Sequence, residues 1–249
     1  MRFGSRAGAL LTPLPILYED AALLVVSKPS GLPCHAGLAA RGDTVASRLR
    51  GLGVVHLVHR LDRGASGALL IARTKEAARE LGALLAERLI ERGYVALVRG
   101  EPPPSVVVDH PVPRDEGGER VPAQTAFVTI ARHTVSDSPL RERRYAWIGA
   151  RPRTGRFHQI RRHAKHLGHP IVGDVNYGRS EHNRFVRERF GLSRLALHAE
   201  ELLVPSPATG SVVRVVAPLP EDLCAVLERM GIRALDRPEL DLARRDPSP

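Results

Sequence analysis

Apolar residues fall in short runs broken by turn-forming residues. Residues 23–27 (LLVVS) form a continuous apolar stretch that stops at Lys28-Pro29-Ser30-Gly31, the pattern of a buried strand. Residues 67–73 (GALLIAR) predict a second strand. Thr74 then stands where a helix N-cap belongs, with Glu76 in the first turn. Ala78, Leu81, Leu85 and Leu89 recur at helical spacing and are expected to face the core, with Gly93 ending the helix. Further strands are expected at 94–99, 124–131 and 145–150. A basic helix is expected to open at Thr154-Gly155 and run through Leu167. Near the end, 202–204 and 212–216 flank a Pro/Ser/Gly turn as a hairpin, and 221–230 read as a helix.

Residues 101–123 are rich in Pro, Gly and charge and read as a linker between two half-domains. Residues 1–15 read as a flexible lead-in, too short to hold a separate RNA-binding domain, and 233–249 as a disordered tail. Strands and helices alternate without a βαβ rhythm, which favours an α+β fold with a mixed, mostly antiparallel sheet and flanking helices.

Charge changes this picture more than composition does. The 249 residues include 37 Lys and Arg against 27 Asp and Glu, a net charge of +10, which favours a polyanionic partner. Hydrophobic residues make up 43 %, enough for a real core. The two cysteines, Cys34 and Cys224, lie far apart, so neither a disulfide framework nor a thiolate zinc site is expected, and a reducing, cytoplasmic compartment fits. The apolar run at residues 9–11 is too short for a signal core or a membrane span.

The chemistry concentrates in His59-Arg60-Leu61-Asp62-Arg63-Gly64-Ala65-Ser66-Gly67. An Asp between two arginines is held ionised by nearby positive charge. An ionised carboxylate can act as nucleophile, base or stabiliser of an oxocarbenium-like sugar, or it can be a loop Asp in a surface ion pair.

This segment is similar to the HRLDxxTSG signature of the RluA-type pseudouridine synthases, and the similarity continues in order along residues 16–232. Lys28-Pro29-Ser30-Gly31, the segment 92–100 (RGYVALVRG), 154–161 (TGRFHQIR), 169–174 (HPIVGD) and 194–199 (RLALHA) each resemble a motif of that family. Ala65 stands where the family carries Thr, and Ser27 where Asn is common. The resemblance implies a catalytic fold with a central RNA-binding cleft that isomerises uridine in structured RNA. Asp62 is then the nucleophile or base. Tyr94 stacks on the target uracil, Arg161 pairs with Asp62, Ile160 lines the pocket, and Arg60 helps hold the flipped base out of the helix. No cofactor, metal or energy source is needed, because the product is an isomer of the substrate.

The helix carrying this last motif places Ile160, Ala164 and Leu167 on an apolar stripe. His158, Arg162, Lys165 and His166 are left as candidate RNA contacts, or as a plain solvated basic face. Its histidines lack an HExxH pattern or an acidic ligand cluster, so no metal site is expected. Asn183, Arg184 and 190–195 (FGLSRL) resemble the branch of the family that acts on uridine-65 of transfer RNA, in the acceptor–T-arm region. Ribosomal RNA or an anticodon stem is the alternative target, and a catalytically silent RNA-binding protein the alternative class. A monomer without membrane contact is expected.

Overall fold

The structure is a computed structural model that describes residues 12–35 and 42–232. Residues 1–11 of the expected lead-in, and the whole of the expected tail from residue 233, lie outside the described residues. In chain order the elements are β1 (Ile16–Glu19), β2 (Leu23–Lys28), α1 (Val45–Arg48), β3 (His56–Leu57), β4 (Ser66–Ala72), α2 (Lys75–Ala86), β5 (Glu91–Arg99) and β6 (Ser105–Asp109). There follow β7 (Val112–Pro113), β8 (Arg120–Val121), β9 (Gln124–Thr134), β10 (Arg144–Pro152), α3 (Gln159–His166), α4 (Ser180–Phe190), β11 (Leu197–Pro205), β12 (Val212–Val216) and α5 (Glu221–Arg229).

One sheet runs in the order β1-β2-β4-β11-β5-β10-β9-β6, with β12 added to β11 and β3 to β4. Every pairing except β4 with β11 is antiparallel, the mixed, mostly antiparallel α+β arrangement expected from the sequence. Alternation along the central strands sends side chains into two cores. Leu24, Val26, Leu69 and Ile71 join the larger one; Leu23, Val25, Leu70 and Ala72 join the smaller, which α2 covers with Ala77 and Leu81. Each fully buried aliphatic side chain contributes roughly 1.5–3 kcal/mol, so these strands are fixed by burial on both faces. At the parallel pair Ala199 lies opposite Gly67, whose φ is +114°. A Cβ there would land on the Ala199 carbonyl oxygen, so only glycine lets β4 start beside β11.

Three expectations shift. Helix α2 ends at Ala86, because Arg88 adopts a left-handed φ of 64°; Leu89 therefore leaves the helical stripe and is 53 % exposed. Gly93 is not a helix terminator but an interior residue of β5, where a Cβ would sit 3.2 Å from the Glu201 side chain. The segment read as a linker contains β6, the edge strand paired with β9, and the small β7–β8 hairpin. Apart from Pro113 in β7, its Pro and Gly residues lie outside these strands, and they mask the short apolar run 106–108 that forms β6. The hairpin of β11 and β12 forms with Leu202 opposite Val215, as the flanking pattern implied.

Candidate active site

Asp62 lies in the loop that feeds β4, and that loop is tied down on every side. The Ala65 amide donates to the Asp62 carbonyl at 3.0 Å, closing a tight turn. Leu61 exchanges hydrogen bonds with the Cys34 thiol, both at 3.4 Å. Beneath it the fully buried Lys28 ammonium donates to the carbonyls of Pro29, Leu32 and Arg63 at 2.9, 2.8 and 3.3 Å. Burial pushes Lys28 down to about 8, which still leaves it charged at neutral pH. On the exit side Ser66 accepts from Arg194 at 2.6 Å and pairs with His198 at 2.8 Å. The carboxylate is thus held by a fixed backbone rather than by its own side-chain packing.

The central strand order β4-β11-β5 brings Tyr94 close to this loop, and α3 supplies the remaining wall. Arg161 donates from Nη1 to Asp62 Oδ2 at 3.0 Å. Its Nε and Nη2 donate to the two oxygens of Asp174 at 2.7 and 2.9 Å, a bidentate clamp. Asp174 is completely buried and also accepts from the amides of Asn176 and Tyr177 at 2.9 and 3.0 Å. Burial alone would raise the Asp174 carboxyl; the Arg161 guanidinium and these amides hold it below the usual carboxylate range. Arg161 is raised by the two carboxylates against the opposing cost of burial. Asp62 Oδ1 is left with His158 Nε2 at 3.8 Å, too far for a hydrogen bond.

These groups line a cleft of about 410 Å³ together with Arg60, Leu61, Ala65 and Ile160. That is within the range of sites that enclose one small molecule, roughly 300–1,000 Å³. Tyr94 is only 8 % exposed, and burial pushes its hydroxyl up, so it stays protonated. His59 Nε2 accepts the Leu70 amide at 3.0 Å, which places the ring proton on Nδ1. Burial first, and then Arg92, push His59 down to about 3, so it is a neutral donor. Arg92 and Arg156 line the cleft, and the Nε atom of each is buried without a hydrogen-bond partner; His59 lines it too, with the Arg60 backbone against its ring. A buried N–H without an acceptor costs about 1–3 kcal/mol, so this wall suits a ligand rich in acceptor oxygens.

The residues expected to act together do meet: Arg60, Asp62, Tyr94, His158, Ile160 and Arg161 all line this one cleft. Arg60 is exposed at its rim and Ile160 is buried in its wall. The helix itself starts later than expected. α3 begins at Gln159, because His158 takes a left-handed φ of 54°, a conformation that costs a non-glycine residue energy. Thr154 and the Arg156 amide instead donate to Gln159 Oε1 at 2.7 and 3.0 Å, making a turn that carries Arg156 and Phe157 into the cleft. The other three basic candidates sit outside it. Arg162 and Lys165 approach the Tyr177 ring at 5.0 and 5.8 Å, and the exposed His166 stacks on His110 at 3.9 Å. His163 is buried and structural: its ring bonds Thr125 at 2.9 Å and the His110 carbonyl at 2.9 Å.

Sequence reading passed over Arg92, Arg114 and Arg156 as cleft residues. Arg92 and Arg156 stood inside motifs already singled out, so their charge was the available signal. Arg114 was hidden in the supposed linker. Asp174 was seen only as a motif letter; that it clamps Arg161 depends on a contact across thirteen residues.

The arrangement is a half-open cleft in which one carboxylate, steadied by one guanidinium, shares the lining with an aromatic ring and several arginines. Comparison with known proteins agrees with such a site. The RNA pseudouridylate synthase family matches residues 22–166, which span the Asp62 loop, β5 and the whole of α3. The chain is 38 % identical over 234 residues to ribosomal large subunit pseudouridine synthase C of Escherichia coli, covering 86 % of this chain and 69 % of that protein. It is 35 % identical over 234 residues to tRNA pseudouridine synthase C of Vibrio cholerae, covering 88 % and 96 %. The solved structure of human RNA pseudouridylate synthase domain containing 1 superposes with a TM-score of 0.74 at 28 % identity, over 97 % of this chain and 98 % of that one. With the carboxylate, the tyrosine and the arginine of its signature motifs gathered in one cleft, the chain belongs to the RluA-type RNA pseudouridylate synthases, isomerases that act on RNA.

Proposed function

We propose that Asp62 carries out the isomerisation of a uridine everted from folded RNA into the 410 Å³ cleft. The observation that carries this reading is the Asp62–Arg161 pair, with Oδ2 engaged at 3.0 Å and Oδ1 left open toward the cleft. In the reaction the C1′–N1 bond breaks, the uracil turns, and C1′ joins C5; the C5 proton departs and N1 gains one. An ionised carboxylate held against the sugar can attack C1′ or remove the C2′ proton, and attack at C6 of the ring is a third route. Each needs the same geometry. Arg161 fixes the direction of the carboxylate through its Nη1 hydrogen bond to Oδ2, and Tyr94 gives the uracil a stacking face. Ile160 closes the apolar wall. Arg60, at the rim, fills the space the base leaves. Eversion costs a few kcal/mol, offset by stacking and by the donors of Arg92 and Arg156. The test is pseudouridine mapping in total RNA from cells with and without this protein. Sites that vanish with it support the reading and name the target; an unchanged map overturns it.

Tyr94→Phe keeps the stacking face and loses the hydroxyl. RNA affinity is expected to stay within about threefold while turnover falls by roughly tenfold or more. Single-turnover kinetics and a binding isotherm separate the two; wild-type turnover would remove the hydroxyl from the mechanism.

The substrate proposed is transfer RNA, at uridine-65 in the acceptor–T-arm region, on the resemblance of 183–195 to that branch. Part of that segment also has an internal duty: Asn183 accepts from the Gly173 amide at 2.8 Å and donates to the Asp174 carbonyl at 2.9 Å. Ribosomal RNA is the second reading, favoured by the 38 % identity to the large-subunit enzyme of Escherichia coli. Outside the cleft, Arg162, Lys165 and His166 form a basic face suited to backbone phosphate. Arg162→Ala is expected to lower the slope of log affinity against log salt by about one phosphate contact, with RNA binding measured between 50 and 200 mM salt at roughly the range where such slopes are read. An unchanged slope would make that face merely solvated.

A further inference from the structure

Beyond the cleft the described surface has a second basic hollow, of about 610 Å³, that the reaction does not use. It sits at the far end of β5 from Tyr94. Four guanidinium groups line it, those of Arg99, Arg141, Arg144 and Arg179, against two carboxylates, Glu142 and Glu181. Glu142 is already committed to Arg144 at 3.0 Å, and Arg144 reaches Glu101 as well. The Arg141 and Arg179 side chains are exposed and make no hydrogen bond or ion pair among the described residues. Arg99 reaches the Gly168 carbonyl at 3.3 Å, yet its Nε is buried without a partner. The floor is firm. Tyr145, fully buried and pushed up to about 12 by burial, shares a hydrogen bond with His182 Nδ1 at 2.9 Å. Helix α4 also opens on this hollow with no side chain capping its first turn.

The position matters as much as the charge. Tyr177 belongs to the cleft side, where its hydroxyl lies 3.1 Å from His158 Nδ1 and its ring lies under Arg161 and Arg162. Arg179 follows two residues later, so at most about 7 Å of backbone separates it from Tyr177, the residue that backs the cleft's His158. A strand that left the cleft on the Tyr177 side would run toward Arg179.

We propose that this hollow is a phosphate subsite, taking a backbone phosphodiester of the same RNA on one flank of the target uridine. Its ligand chemistry is a tetrahedral monoanion held by Arg141 and Arg179, with Arg99 behind them. It rests on the RNA reading above and adds a second anchoring point, which ties the reacting nucleotide to the path of its flanking strand. Substrates whose backbone bends away after the target lose this contact, so the hollow selects among RNAs by shape and not by base.

The experiment compares three forms of the full chain: wild type, Arg141→Ala/Arg179→Ala, and Lys75→Ala/Arg79→Ala as a control that removes the same charge from exposed positions of α2. Fluorescently labelled total transfer RNA serves as the probe, with affinity read by anisotropy across a salt series. The hollow variant is expected to lower the salt slope by about one, and to weaken binding roughly three- to tenfold near physiological salt, while the control stays near wild type. Both replaced arginines are exposed and unpaired, so the melting temperature should hold; Arg141→Gln/Arg179→Gln repeats the measurement with the side-chain stems kept. A hairpin in which single phosphates are replaced by neutral methylphosphonates locates the contact: one replacement weakens wild type and leaves the hollow variant unaffected. Equal slopes for all three proteins, or equal losses in variant and control, overturn the proposal. So does calorimetric binding of inorganic phosphate at the hollow with an unchanged RNA slope, which would make it a free-anion site. If wild type binds RNA with the expected slope but makes no pseudouridine, the fault lies with the catalytic reading and not with the hollow.

Discussion

Asp62→Asn is expected to leave RNA affinity within a few-fold of wild type and to reduce pseudouridine formation by roughly 10⁴-fold or more, the scale on which loss of a single nucleophile is felt. The substitution is nearly isosteric, and an amide oxygen can still accept from Arg161 Nη1, so the loop should stay where Lys28, Cys34 and Ser66 hold it. What disappears is the negative charge and the lone pair of Oδ1, the oxygen left open to the cleft. Binding is expected to survive because the cleft donors proposed to meet RNA, on Arg60, Arg92 and Arg156, belong to other residues. Tritium release from C5-labelled uridine in RNA reads the reaction directly. Turnover within tenfold of wild type would retire the carboxylate as the essential group and with it the proposed role of the cleft.

The second large effect is expected from Asp174→Asn, at a residue that need not touch RNA. Arg161 is 8 % exposed at its side chain and Asp174 0 %, so the pair was desolvated on folding and is compensated only by its own contacts. Removing one partner of such a pair costs up to about 3–5 kcal/mol, because the other charge loses its bidentate match; Arg161 keeps only the single contact to Asp62. For a chain of this size that corresponds to a fall in Tm on the order of 6–20 °C. Activity should fall as well: a guanidinium released from its clamp no longer presents Nη1 to Asp62 at a fixed angle. Arg161→Met/Asp174→Asn, which removes both charges, should regain much of the stability and none of the activity. Recovery of turnover in that double variant would show that Arg161 is a packing residue only.

The same pair sets a pH dependence. The Asp174 carboxyl lies lower in the folded chain than its ordinary value. Its stabilisation is therefore fully present above the unfolded carboxylate range, near pH 4, and is lost as pH falls through the folded value. Wild-type Tm should drop more steeply below about pH 4 than the Tm of Asp174→Asn, which lacks this carboxylate. Parallel curves would place the acid sensitivity elsewhere.

Much of this was legible in the chain before any coordinates. The strands at 23–27, 67–73, 94–99 and 145–150 follow from apolar runs that have nowhere to go except into the interior, and each is present in β2, β4, β5 and β10. Thr74 does cap α2, accepting from the Ala77 amide at 3.1 Å. The stripe of Ile160, Ala164 and Leu167 does face the core. Misreadings fell where local pattern competes with a distant contact. Leu89 keeps helical spacing with Leu85, but the chain turns at Arg88 to enter β5, so the periodicity is coincidental. Gly93 looks like a helix stop and is instead the space that Glu201 requires from the neighbouring strand.

The sequence by itself determined which residues carry charge, which segments must be buried, and that one Asp sits in a rigid Gly/Ser turn between arginines. These are local properties, set by side-chain chemistry and by the two periodicities of the backbone. Only the tertiary structure decided that Arg161 is held by Asp174 before it reaches Asp62, that Arg92 and Arg156 face the cleft with unsatisfied donors, and that Arg99, Arg141 and Arg179 from three separate elements surround one hollow. Such contacts join residues tens of positions apart. Their geometry is fixed by how strands pair and helices pack, and no local pattern encodes those distances.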